Sequence, residues 1–458
     1  MNLMHYSVRC VVVSGTRRDG CRICDNALAA GTQDGREGAN GSGPMPAAFV
    51  ACFEWNKHWA PPDHDLVIRG GPESAEREKG KCMTAWLVRM TMAVCTVLLP
   101  AVAAADFVVA QIAPLSGPLA PTGEHMRAGA QLYFDRVNAA GGVHGQKIRM
   151  VVRDDGYRIE DTVKLAREAI AKDDPIVLYG IVGTGNIAAL VKEGVLDKAG
   201  IAAVGLRTGA ASLLNPPHPY LFTARASYAT EVERMIEQMT TMGMNRIGVF
   251  FQDDAFGRDG LVAAEAALRG KGLEIAAQGA YERNTTKVEA AAAAIAAVNP
   301  QGVVMVSNTA ASTAFVTEYR KRGGDGMLLV LSTTDGPQVV ERLGREAAHG
   351  LAIAQIVPHP QSRTMPLVRE FQETYARGVP AGIEMNHTLL QGYVGGKIIV
   401  EALRRAGPNA TRATLRDALE GIRNYDLGGI RADFSPTRHT GVDFVDITII
   451  GRDGRLLQ

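Results

Sequence analysis

The 458-residue sequence predicts an α/β protein of two lobes, each a parallel sheet wound with helices on both faces. Three observations predict it. Short apolar runs alternate with helical periods from Asp106 onward, the alternation passes through two successive series, and the loops that follow the apolar runs are short and polar.

The first series opens with Phe107–Ile112, an apolar strand leading into the loop Ala113-Pro-Leu-Ser-Gly-Pro118. Glu124 to Ala140 carries Met126, Ala130, Phe134 and Val137 at helical spacing, and Gly141-Gly142 ends it as a C-cap does. Ile148–Val152 reads as the next strand, with Asp154-Asp155-Gly156 as the turn behind it. A helix from about Ile159 to Ala171, a strand over Ile176–Val182, another helix and the strand Ile201–Val204 continue the rhythm.

The second series follows Tyr220-Leu-Phe-Thr223. Thr230 with Glu233 predicts a capping box for a helix ending near Gly243. Arg246–Phe251 is a strand and Phe256–Arg269 a helix, and Thr286 with Glu289 predicts a second capping box ahead of an alanine-rich helix. Val303–Val306 and Met327–Leu331 are further buried strands.

Open parallel sheets bind ligands at the carboxyl ends of their strands. The loops there are Ser116–Pro118, Gly183–Asn186, Arg207–Ala210, Gln252–Asp254, Ser307–Thr309 and Ser332–Asp335. Hydroxyls and loop N–H groups at helix N-termini suit a carboxylate, and an opposed acid suits an ammonium. Turn chemistry accounts for any one such loop. The recurrence of the set after every strand points to a site.

Composition narrows the function. The formal net charge is +1, with no basic excess, so nucleic acid is not expected as a partner. All six cysteines precede Asp106, and Cys21 with Cys24 has no second pair at zinc-ribbon spacing. A cysteine-free body suits an oxidising compartment. Seven histidines scatter through the body without H-E-x-x-H spacing, so no metal is expected. No G-x-S-x-G elbow occurs, and Gly180–Gly185 departs from G-x-G-x-x-G. The expectation is a binding protein with no catalytic residue and no cofactor.

Met83–Ala105 reads as a secretory signal peptide. Arg89 supplies the charge, Met90–Leu99 the apolar run and Pro100–Ala105 the small residues at a cleavage site. Residues 1–82 sustain no helix or strand period, and they are expected to be a disordered extension or a mis-assigned start upstream of Met83.

The body resembles the periplasmic substrate-binding proteins of the leucine/isoleucine/valine type, with the type I periplasmic-binding fold. The resembling segments are Ile112–Pro118, Ala139–Lys147, Asp154–Gly156, Gly180–Gly185, Thr208–Ala211, Gln252–Gly257 and Gly441–Phe444, and their joint order carries the match. The resemblance implies two lobes joined by three crossing strands, one of 106–225 plus 357–432 and the other of 226–356 plus 433–458. It implies a periplasmic location, a small amino-acid or related carboxylate ligand, and the membrane permease and ATPase subunits of an ABC importer as partners. Thr184 matches the hydroxyl that receives the ligand's α-carboxylate, helped by Thr208 or Gly209, with Ser116 in the first loop of that wall. Asp335, or the position before it, corresponds to the acidic partner of the α-ammonium. Phe256 matches an aromatic lid, and Tyr228 lies near the first crossing. Thr122 and the Asn308–Thr309 pair stand where leucine binders tend to carry tyrosines, which makes the side-chain pocket more polar. A free-standing sensing subunit with the same fold is the alternative reading.

Overall fold

The computed structural model describes residues 105–458. The expected signal segment and the extension before it lie outside those residues, apart from Ala105.

Strand β1 (Phe107–Ala113) is apolar and nearly all buried, as a strand covered on both faces must be. It pairs in parallel with β2 (Ile148–Asp154) and β3 (Val177–Tyr179). Strands β4 (Ala203–Val204) and β5 (Leu221–Phe222) extend the sheet in parallel, giving the order β2-β1-β3-β4-β5. Helices α1 (Ala120–Ala139), α2 (Ile159–Asp173), α3 (Thr184–Lys192), α4 (Val195–Ala199) and α5 (Ala211–Leu214) make the connections. Side chains alternate between two cores: Val109, Val177 and Tyr179 enter one, Ala110, Ile112 and Leu178 the other.

The chain then crosses to a second sheet built from β6 (Ile247–Gln252), β7 (Ile275–Tyr281), β8 (Gly302–Val306), β9 (Met327–Val330) and β10 (Ala352–Gln355). These five strands are parallel and ordered β10-β9-β8-β6-β7. Helices α6 (Tyr228–Thr241), α7 (Ala255–Arg269), α8 (Glu289–Val298), α9 (Thr309–Lys321) and α10 (Gly336–Ala348) cover it. Again the strands feed two cores, Val303 and Met305 on one face and Val304 and Val306 on the other.

A second crossing leads back through α11 (Pro366–Ala376), α12 (His387–Ala406), α13 (Arg412–Glu420) and the hairpin β11 (Tyr425–Asp426) with β12 (Arg431–Ala432). Helix α12 is buried along almost its whole length against α1. The approach needs glycine: a Cβ at Gly129 would sit 2.0 Å from Leu389 O, and one at Gly392 would sit 2.4 Å from Met126 O. The third crossing delivers β13 (Asp446–Ile450), antiparallel to β10, and then β14 (Leu456–Leu457). Two of the crossings touch: Thr223 N–H donates to His439 O at 2.9 Å, and Gly441 N–H to Thr223 O at 2.9 Å. The molecule is thus two doubly wound α/β lobes joined by three crossing segments.

Both predicted capping boxes are absent. Helix α6 starts one turn before Thr230, with Ser227 in extended geometry and its Oγ accepting from Thr230 N–H at 3.1 Å. Helix α8 begins after Val288, which has no side-chain cap bond, and Thr286 stays outside. Strand β7 was not predicted, because its exposed, alanine-rich face gives it no continuous apolar run.

Candidate functional site

The loops at the carboxyl ends of the strands converge between the lobes. In the first lobe, β3 runs into Gly183, the N-cap of α3, at φ 104. A Cβ there would lie 2.5 Å from Tyr157 Cε2 and 2.7 Å from Asn186 Oδ1, so only glycine fits. The next residue, Thr184, is buried, with its Oγ1 2.9 Å from Thr208 Oγ1. Gly209 O accepts from Tyr228 N–H at 2.8 Å, which joins this wall to the start of α6.

Tyr157 rises from the turn after β2, with φ 62. Asp155 builds that turn: its carboxylate accepts from Tyr157 N–H at 2.9 Å and from Thr162 Oγ1 at 2.6 Å. Burial pushes the Tyr157 phenol up to about 12, against the opposing pull of Arg283.

The second lobe contributes the first turns of α7 and α9. Asp254 caps α7, accepting from Phe256 N–H at 3.0 Å, and Phe256 lies 5.1 Å from Tyr228, ring to ring. Asn308 caps α9 through its Oδ1, and its Nδ2 donates to Gln252 Oε1 at 3.3 Å and Tyr281 Oη at 3.3 Å. Gln252, fully buried at the end of β6, reaches Tyr157 Oη at 3.5 Å.

Between these walls is a cavity of about 30 Å³. Leu119, Thr122, Tyr157 and Gly183 line it from the first lobe, and Phe256 and Asn308 from the second, with Tyr228 at the first crossing. That is room for one or two waters, and side chains of both lobes meet around it. Arg283 joins the lobes. Its guanidinium pairs with Asp254 of its own lobe at 2.9 Å. It then donates across the cleft to Tyr157 O at 2.8 Å and Asn186 Oδ1 at 2.7 Å. Asp259 adds two further bonds, accepting from Ala211 and Ser212 N–H at 3.1 Å each.

The floor is cationic. Arg207 also lines the cavity and is 4% exposed. It donates to Gln391 Oε1, to Ser332 O at 3.0 Å and to Thr388 Oγ1 at 3.5 Å. Burial first, then the neighbouring Arg225, pull its pKa down to about 10. Arg225 is itself sealed from solvent but is ion-paired with Glu231, whose other oxygen accepts from Ser332 N–H at 2.9 Å.

Among the sequence-predicted residues, Tyr228, Phe256 and Asn308 line the cavity, and Thr184, Thr208 and Gly209 stand directly behind the wall that carries Gly183. Ser116 does not join them: it is exposed, at the start of a 3-10 turn over Gly117–Leu119. Asp335 is also displaced from the expected position. Its carboxylate caps α10, accepting from Gln338 N–H at 3.1 Å, and it faces a separate void of about 10 Å³ that it shares with Arg207. Burial raises its pKa. Tyr157, Arg207, Gln252 and Arg283 were not singled out from sequence, although Arg207 and Gln252 each open one of the polar loops.

Residues 107–454 match the family model described as periplasmic binding protein. A protein of Brucella suis biovar 1 named Leu/Ile/Val-binding protein homolog 7 is 24% identical over 340 residues, covering 70% of this chain and 82% of that protein. A solved substrate-binding periplasmic protein from Ralstonia solanacearum is 37% identical, with a TM-score of 0.74, over 77% of this chain and 100% of that one. A structure described as a possible leucine/isoleucine/valine-binding protein from Rhodopirellula baltica SH 1 is 26% identical, with a TM-score of 0.74, over 79% and 98%.

Proposed function

The chain belongs to the periplasmic binding protein family, and we propose that it is the exported, periplasmic solute-binding subunit of an ABC importer. It captures a small amino-acid-like or carboxylate-bearing solute between its lobes, and the closed form docks on the permease, which the ATPase subunits drive. Family members bind substrates and do not transform them, and this reading extends that to the present chain.

One observation carries the proposal: a cavity takes its walls from both lobes, and Arg283 of the second lobe bonds to Tyr157 and Asn186 of the first beside it. Hinge closure on a solute excludes water, and hydrogen bonds to the ligand strengthen in the lower dielectric. Thr184, Thr208 and Gly209 enter the reading as the carboxylate-side wall, and Tyr228, Phe256 and Asn308 as the cover. The lobes are proposed as 106–225 plus 357–432 and 226–356 plus the C-terminal strand. The packing of Phe434 and Val442 into the first lobe's core supports moving the last crossing past Val442.

Small-angle scattering of the purified protein against a panel of amino acids and organic acids tests the reading. A solute that binds should reduce the radius of gyration. If no member of the panel shifts the profile or the melting temperature, the reading fails.

A further inference from the structure

We propose that the solute is an apolar monocarboxylate without an α-ammonium group, and that Arg207 receives its charge. This rests on the solute-binding reading and narrows it.

Helix starts set the field in the cavity. Thr122 lies in the first turn of α1, Gly183 caps α3, Tyr228 opens α6, Phe256 lies in the first turn of α7 and Asn308 caps α9. All five residues line the cavity. Each helix begins at this space, so the positive ends of five dipoles meet there, although side chains already cap first-turn N–H groups of α6, α7 and α9. That arrangement favours an anion.

Arg207 is the second, independent observation. It is the single charged side chain among the described residues that line the cavity. Its three hydrogen-bond acceptors are an amide, a backbone carbonyl and a hydroxyl, all neutral, and none of them engages its Nε. A buried cation is ordinarily paired. Arg225 follows that rule through Glu231, whereas Arg207 makes no direct ion pair among the described residues, and Asp335 and Glu231 offset its charge only through space. A carboxylate entering from the cavity would supply the pair.

No carboxylate lines the cavity among the described residues to balance an ammonium. Asp335, the acid expected there, is committed to the N-cap of α10 and faces the void behind the floor. Asp254 is tied to Arg283 and to the first turn of α7. An α-ammonium would therefore meet five helix N-termini and a guanidinium, with no carboxylate among the described residues on the cavity lining. The rings of Tyr157, Tyr228 and Phe256, with Leu119 and Val182, offer contact to an apolar body.

Matched pairs that differ only at the α-position test this. Calorimetry and scattering are run on the full protein with 3-phenylpropionate against phenylalanine, and 4-methylpentanoate against leucine. The expected result is that the acid of at least one pair binds and compacts the protein, about tenfold or more tighter than its amino acid, because like charges in a shut site repel. Arg207→Lys should retain part of that binding and Arg207→Gln should lose it. Because the pair comparison uses the unmodified protein, it stands even if a variant fails to fold. An amino acid that binds as tightly as its acid, or a solute other than an apolar monocarboxylate that alone compacts the protein, overturns the ligand class while the solute-binding reading survives. If no solute of any kind compacts the protein, both fall.

Discussion

The guanidinium of Arg283, just beyond β7 in the second lobe, lies 3.8 Å from the ring centroid of Tyr157, in the turn after β2 of the first. The same side chain donates to Tyr157 O and Asn186 Oδ1, so one residue makes stacking and hydrogen-bonding contacts across the cleft. Replacing it should release the lobes. Arg283→Met is expected to raise the radius of gyration and to weaken solute binding by about 1.5–3 kcal/mol, the net worth of hydrogen bonds from a charged donor. Scattering and calorimetry on the variant check this; an unchanged profile would show that closure does not depend on the bridge.

Thr184 and Ser116 were expected on the same wall, and the structure separates them. Thr184→Ala removes a buried hydroxyl that pairs with Thr208 behind the cavity wall and should cost about 0.5–1.5 kcal/mol of binding, as for the loss of a neutral hydrogen bond that positions the wall. Ser116→Ala alters an exposed loop and should leave affinity unchanged. Titration calorimetry on the two variants decides. Equal losses would return Ser116 to the wall, and no loss in either would remove Thr184 from it.

Gly183 and Gly141 have nearly the same backbone angle, φ 104 and φ 102, but different surroundings. A Cβ on Gly141 meets nothing within 4 Å, so Gly141→Ala should cost only the left-handed backbone penalty, about 1–2 kcal/mol. Gly183→Ala adds a clash with Tyr157 and should cost about 1–3 kcal/mol more, as overpacking does. Urea unfolding of both variants measures the difference, and equal midpoints would show that Tyr157 moves aside freely.

His387 links stability to pH. Burial first, then the neighbouring His359, pull its pKa in the folded state down to about 3. The unfolded chain titrates near the ordinary value of about 6.5 and therefore takes up the proton first. The contribution is complete above about 6.5 and is lost as pH falls toward 3, at about 1.4 kcal/mol per pH unit. His387→Leu should flatten the stability profile between pH 7 and pH 5 relative to the parent protein. Parallel profiles would rule out His387 as the source.

Much of the architecture is readable in the chain because burial imprints it residue by residue. Strands β1, β6, β8 and β9 are covered on both faces and therefore appear as continuous apolar runs. Edge strand β7, half exposed, leaves no such trace. Helix starts were less legible, since Ser227 and Thr230 are both capping residue types three positions apart and the helix uses the first.

For the site, local pattern identified the strand-end loops, and with them Tyr228, Phe256 and Asn308, because a parallel sheet must place those loops at one end. It could not tell which side chains cross the cleft. Tyr157 meets Arg283, and Arg207 meets Ser332, Thr388 and Gln391, over sequence separations that no periodicity records. Nor could it show that Asp335 would turn its carboxylate to the N–H groups of α10, a local bond that competes with any ligand. Covalent order and side-chain period thus dictate the two wound sheets, because each residue's burial is written in its own polarity. The cavity between the lobes, its buried Arg207 and the Arg283 bridge beside it depend on distant segments meeting, and that is a property of the packed molecule.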